Sequence, residues 1–104
     1  DYTVYCSIDE NYTIFFFEAE SLKYVDDYRS VYIIINGIPT FGYVIEGRVM
    51  FFDNAGNITE LLKNKNWILL SIIDNETNGY YWNKEISASG FTKSVNEFIN
   101  YNYN

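Results

Sequence analysis

Apolar clusters of 5 to 8 residues recur along the chain and are separated by clusters of Asn, Asp and Gly. That is the spacing of consecutive antiparallel strands joined by hairpins. Seven segments read as strands: Tyr2–Ile8, Tyr12–Glu18, Ser30–Ile35, Thr40–Glu46, Arg48–Asp53, Trp67–Asp74 and Gly79–Ile86. Three stretches are apolar at both parities. In Tyr12–Phe17, Ile14 and Phe16 fall on one side and Phe15 and Phe17 on the other, and Val31–Ile35 and Trp67–Ile73 behave alike. A strand apolar on both faces needs cover on both, so these three are expected in the middle of the sheet, one face under a terminal helix and the other under sheet curvature or a second layer. The first and last strands are more polar and are expected at the edges, where Lys84 and Glu85 discourage further pairing.

The connections carry their own chemistry. Asp9-Glu10-Asn11 separates the first two strands, and Asn36-Gly37 favours the positive φ of a hairpin turn, with Pro39 just after it unable to donate to a ladder. Glu46-Gly47 is a two-residue link, Asp53–Asn57 a longer turn and Asn75–Gly79 the last loop. This density of turns predicts a meander. Two stretches break the rhythm. Ile58, Leu61 and Leu62 share a helical face over 58–63, which predicts a short middle helix. Phe91, Val95, Phe98 and Ile99 fall at helical spacing over Phe91–Ile99, with Ser89 placed to cap the amino end and Lys93, Asn96, Glu97 and Asn100 facing water. The fold expected is α+β and mostly antiparallel β: about seven strands in a curved sheet, small barrel or sandwich, with a short middle helix and a C-terminal helix packed on it. No internal repeat or linker is evident, and residues 1–104 are expected to form a single domain.

Composition supports a core. The 104 residues are 48% hydrophobic and 20% aromatic, which excludes intrinsic disorder. The chain has no His, which removes His-dependent nucleophilic catalysis, and one cysteine, which removes a disulfide framework and a zinc site. Cys6 alternates with Val4 and Ile8 and reads as a small core residue. Asp53–Asn57 lacks the alternate acids and closing Glu of a calcium loop and reads as a turn. Glu18, Glu20, Glu46 and Asp53 are carboxylates on or near strands, but no spacing selects a glycosidase pair. No phosphate-binding glycine pattern occurs. The expectation is a domain without enzymatic activity, cofactor or metal. Asn-x-Thr triplets at Asn11, Asn57 and Asn75 match the glycosylation pattern, as chance alone provides in a chain so rich in Asn.

Fourteen acidic residues against seven basic ones give a net charge of −7. A surface of that sign repels phosphate backbones and attracts cationic proteins, so direct nucleic-acid binding is not expected and a basic partner is. No apolar run reaches the ~18 residues of a membrane span, and no basic-then-apolar leader opens the chain. No membrane association and a cytoplasmic location are expected; the opening Asp1 points to a trimmed or processed form. Tyr24, Asp26, Asp27 and Tyr28 lie together between the second and third strands, next to Glu18 and Glu20. An acidic loop framed by tyrosines suits Arg or Lys on a partner, because Tyr gives large contact area at small entropic cost. Glu18, Glu20, Asp26, Asp27 and Tyr28 are the candidate contacts. In Tyr80-Tyr81-Trp82, two rings are expected to pack and at least one to be exposed or at a rim.

In size, acidity, lack of catalytic residues and β-rich pattern, the chain resembles the bacterial immunity proteins of contact-dependent growth inhibition systems. No motif carries the resemblance and no residue is transferred by it. It implies a protein that neutralises a cognate toxin, here a basic one and by preference a nuclease, by occluding its active site. Two other readings fit the same sequence. One is a small-molecule binder whose curved sheet is lined by Tyr and Phe, of which viral sponges for signalling nucleotides are an example. The other is a phage-encoded inhibitor that imitates nucleic acid.

Overall fold

The computed structural model describes residues 2–8, 13–53, 60, 65–91 and 93. Seven strands form one sheet: β1 (Tyr2–Ile8), β2 (Thr13–Ala19), β3 (Ser30–Ile35), β4 (Ile38–Ile45), β5 (Arg48–Asp53), β6 (Trp67–Asp74) and β7 (Tyr80–Ser87), with a 3₁₀ turn at Glu20–Leu22. Every pairing is antiparallel, and the order across the sheet is β1-β2-β5-β4-β3-β6-β7. The expected meander is therefore confined to β3-β4-β5, with the β1–β2 and β6–β7 hairpins added on either side. Link length explains the difference. Asn36-Gly37 and Glu46-Gly47 leave no choice but adjacency, and their φ values of 50, 85, 52 and 75° suit type I′ hairpin turns. The longer stretch between β2 and β3 imposes no adjacency, so β2 pairs with β5 instead.

The strands that are apolar on both faces, β2, β3 and β6, all lie inside the sheet, and β1 and β7 are its edges. Strand β4 starts earlier than its pattern suggested and includes Pro39 opposite Ile34. In a two-residue hairpin the closing pair, Ile35 and Ile38, exchanges hydrogen bonds, so the next pair does not. Pro39 thus occupies a place where no donor is required by β3, and the β4–β5 pairing starts only at Gly42.

One face of the sheet is the core: Val4, Phe15, Phe17, Val31, Ile33, Val44, Val49, Phe51, Ile68, Leu70 and Ile72 are all buried. The sheet curls into a half-barrel around this face. Trp82 on β7 meets Phe17 on β2 at 5.4 Å and Tyr2 on β1 at 6.2 Å between ring centroids, although these strands lie at opposite ends of the strand order. Trp82 and Tyr81 pack with the core and Tyr80 is exposed. A register break between Ile72 and Ile73 leaves Tyr81 as the extra residue of β7. The other face stays partly open among the described residues, with Tyr32 against Phe41 and Tyr43 against Phe52 giving cross-strand aromatic contacts.

The middle helix expected over 58–63 is not borne out; apart from Glu60 its residues lie outside the described ones. Ala88–Phe91 and Lys93 are helical, with Ala88 and Phe91 buried, and the remainder of the expected C-terminal helix lies outside the described residues. Its start corrects the expected cap. Ser87, not Ser89, precedes the first helical residue, and the Ser87 Oγ accepts the Gly90 N–H at 3.3 Å.

Gly42 makes the tightest point of the core. It stands between Val31 and Phe51 on neighbouring strands, where Phe51 stacks on Phe15 at 5.5 Å. A Cβ at residue 42 would lie 2.5 Å from both the Ile33 Cδ1 and the Met50 carbonyl oxygen. Because one contact is backbone, the sheet cannot yield cheaply. Gly42→Ala is expected to lower the unfolding free energy by about 1–3 kcal/mol, measured by urea titration; an unchanged midpoint would show that the strands separate freely here.

Candidate functional site

Residues 20–29 connect β2 to β3, and β5 and β4 lie between those strands in the sheet. The connection must cover three strand spacings, about 14 Å, and it does so across the β4–β5 turn. Fixed and free positions are interleaved along it. Leu22 is fully buried, and its carbonyl accepts the Val25 N–H at 3.2 Å; Val25 packs on the core. Asp27 Oδ1 accepts the Glu46 N–H at 2.8 Å, fixing the turn beneath. Gly47 lies under the loop, where a Cβ would make an ordinary van der Waals contact of 3.5 Å with the Lys23 Cα.

Arg29 forms the last anchor. Its Nε and Nη2 donate to Asp74 Oδ1 and Oδ2 at 3.0 and 2.6 Å, a bidentate pair, and its Nη1 lies 3.0 Å from Glu76 Oε2. Asp74 is 4% exposed and also accepts the Glu76 N–H and the Thr77 hydroxyl. The hydrogen bond from Arg29 leads these contacts in holding the Asp74 carboxyl far below the usual carboxylate range, against the opposing effect of desolvation. The Arg29 guanidinium is correspondingly held in its charged form.

Tyr28 has an unusual backbone. Its N–H donates to the Val44 carbonyl at 2.6 Å, while the Val44 N–H donates to the Arg29 carbonyl at 2.9 Å. Two residues therefore oppose one, which is a β-bulge. Tyr28 takes the left-handed position of that bulge, φ 66°, where glycine is the usual occupant. An L side chain there costs about 1–2 kcal/mol. Burial does not offset this cost, because Tyr28 is 76% exposed, and its neighbour Tyr24 is 95% exposed.

The carboxylates surround the same turn. Glu18 sits opposite Arg48 in the β2–β5 ladder, with a loose ion pair of 3.8 Å. Glu20 pairs with Lys23 at 2.8 Å on the exposed 3₁₀ turn; that hydrogen bond lowers the Glu20 pKa and raises that of Lys23. The Asp26 carbonyl accepts the Arg29 N–H, and neither the Asp26 nor the Glu46 side chain has an ion-pair partner among the described residues. Of the sequence candidates, Glu18, Glu20 and Asp27 thus meet around the β4–β5 turn, with Asp26 and Tyr28 on the loop above it. Asp27 has a structural bond as well as a charge. Sequence reasoning weighed Glu46 only among the carboxylates of a glycosidase pair and left it out of the partner contacts; the hairpin turn brings it beneath Asp27, and its place beside the Gly of a two-residue link was the available signal. Beside Glu18 an open cavity of about 300 Å³ is lined by Thr3, Tyr5, Glu18, Ala19, Glu20 and Lys23.

Among the described residues no group of three or more His, Cys, Asp or Glu is placed to hold a metal ion, and no helix is long and apolar enough to cross a membrane. Comparison with protein-family models, with characterised proteins and with solved structures gives no match.

Two expected outcomes follow from this geometry. Because the folded-state pKa of Asp74 lies below its unfolded value of about 3.9, its stabilisation is present above that pH and is lost as acid is added. Wild type should therefore lose stability steeply below about pH 5, whereas Asp74→Asn, already weakened at pH 7, should show a shallower slope over the same window; parallel curves would exclude Asp74 as the source. Tyr28→Gly should raise the unfolding free energy by about 1 kcal/mol, the left-handed cost less the added freedom of the unfolded chain. A loss of stability on denaturant titration would mean that the ring packs instead.

Proposed function

We propose that this is an acidic protein-binding domain without enzymatic activity, which neutralises a basic partner by occluding its active site. The partner class is a cationic toxin, by preference a nuclease, and the biological setting is that of bacterial immunity proteins of the contact-dependent growth inhibition type, acting in the cytoplasm. The observation that carries the reading is Tyr28: a large aromatic residue kept exposed in a backbone position where glycine costs less. Strain retained at the surface is a pointer to function, and exposed tyrosines beside carboxylates are suited to contact Arg and Lys.

Charge supplies the second half of the reading. A net charge of −7 steers a cationic protein toward the domain; near the loop, Asp26 and Glu46 have no ion-pair partner among the described residues, while Glu18 and Glu20 are partly offset by Arg48 and Lys23. A nuclease cleft is basic because it must hold phosphate, so a surface of this sign competes for the same groups. Direct nucleic-acid binding is disfavoured by the same charge.

The test begins with purification of the tagged protein alongside its co-expressed genomic neighbours. A basic toxic protein recovered at one-to-one stoichiometry is the expected result; elution alone would count against the reading. With that partner in hand, the association rate should fall steeply as ionic strength rises. The combined variant Glu18→Gln, Glu20→Gln, Asp26→Asn and Glu46→Gln should slow association about tenfold at low salt and lose most of the salt dependence. Unchanged rates in stopped-flow mixing would remove the acidic surface from the interface.

A further inference from the structure

The two edges of the half-barrel are protected to different degrees. Strand β7 carries Lys84 and Glu85 and an extra residue at Tyr81 that breaks its register, all features that discourage pairing by another strand. Strand β1, Tyr-Thr-Val-Tyr-Cys-Ser-Ile, has no charge, no proline and no break in register along its pairing with β2. Such an edge is a template for one more strand.

The hydrogen-bonding parity shows which groups it offers. The two-residue Glu46-Gly47 turn makes Ile45 and Arg48 a bonded pair. Bonded pairs alternate along a ladder, so Val49 and Phe51 of β5 bond toward β2, and Phe16 and Glu18 of β2 bond toward β1. Thr3 and Tyr5 are then the β1 residues bonded to β2, and the N–H and C=O groups of Val4 and Cys6 point outward. By this parity neither bonds to β2 through its backbone.

A second observation on the same edge sets the chemistry of what it takes. Thr3 is paired with Glu18, and the open cavity beside them is lined by Glu18, Glu20 and Lys23; Lys23 holds Glu20 at 2.8 Å, whereas Glu18 has only the loose 3.8 Å contact with Arg48. A strand added to β1 would place the residue opposite Thr3 about two strand spacings, roughly 10 Å, from the Glu18 backbone. An arginine or lysine stem laid over Thr3 covers that distance with its charge at the Glu18 carboxylate.

We infer that β1 is the docking edge for an extended segment of the partner, one that adds an eighth strand and sets an arginine or lysine into the cavity at Glu18. This rests on the basic-partner reading above and specifies how that partner is held. A second copy of this chain is the weaker occupant: its β1 brings no cation to the cavity, and each body carries a net charge of −7.

The test uses two decapeptides of equal charge, one of alternating arginine and valine and one of alternating arginine and proline; in the register that sets arginine opposite Thr3, the second places proline opposite Val4 and Cys6, where it has no N–H to give. Amide exchange is followed by NMR at low salt. The arginine–valine peptide should slow exchange at Val4 and Cys6 by about tenfold or more, the arginine–proline peptide should not, and Thr3→Lys should weaken binding of the first by about tenfold with an unchanged thermal midpoint. Equal binding of both peptides without slowing at Val4 and Cys6 overturns the edge assignment and leaves the acidic-surface reading standing. Binding of neither overturns both. Slowed exchange without peptide, together with a dimer in sedimentation, assigns the edge to a second copy and overturns the inference.

Discussion

The bidentate contact between Arg29 and Asp74 joins the two halves of this fold. Arg29 ends the connection from β2 and leads into β3, while Asp74 ends β6 and opens the turn toward β7. The β3–β6 ladder is one of the two places where a hairpin unit is attached to the central meander, and the ion pair lies at its end, where Val31 faces Asp74. A carboxylate this buried would be costly if unpaired, so the surrounding donors are part of the same constraint. The Glu76 N–H and the Thr77 hydroxyl complete it, and the position of residues 26–29 depends on the result. Removing Arg29 would leave the buried Asp74 without its cation at the point where the loop and the sheet meet, whereas removing Asp74 would leave Arg29 only the exposed Glu76.

The same constraint separates structural from presented residues on the loop. Leu22, Val25, Asp27 and Arg29 are held by core, turn or ion pair; Tyr24, Asp26 and Tyr28 project between them. From Tyr24 to Arg29 this spacing has the period of two that a strand shows, although these residues form no strand. It comes from a chain that passes over a hairpin turn and touches it at intervals. The left-handed backbone of Tyr28 belongs to the bulge that turns the chain into β3, so the exposed ring and the start of the strand share one geometry.

Much of the strand framework was legible in the sequence. Tyr2–Ile8, Ser30–Ile35, Arg48–Asp53 and Trp67–Asp74 coincide with strands of the structure, because β-branched and aromatic residues bounded by Asn-Gly and Asp-Asn punctuation leave few alternatives. The interior positions of β2, β3 and β6 followed from their apolar residues at both parities. Strand order did not follow, since local pattern fixes partners only where the link is two residues long. The cap was misplaced by two positions because Ser87 and Ser89 are chemically equivalent, and only the end of β7 decides between them. The acidic loop was visible as composition. Its strained tyrosine, its anchors and the contribution of Glu46 depend on contacts between segments distant in sequence, and no residue window contains them.

The passage of residues 20–29 across the turn also bears on how such a protein can diverge. A connection that must step over two strands and reach four fixed points has little freedom in length, since a deletion would pull β2 from β5 or open the ladder to β6. Its outward side chains have no such limit, because neither core nor ladder depends on Tyr24 or Asp26. Drift can therefore rewrite the exposed lettering of the loop while leaving its path untouched, so that descendants of one scaffold can come to recognise different partners without having to rebuild the sheet beneath.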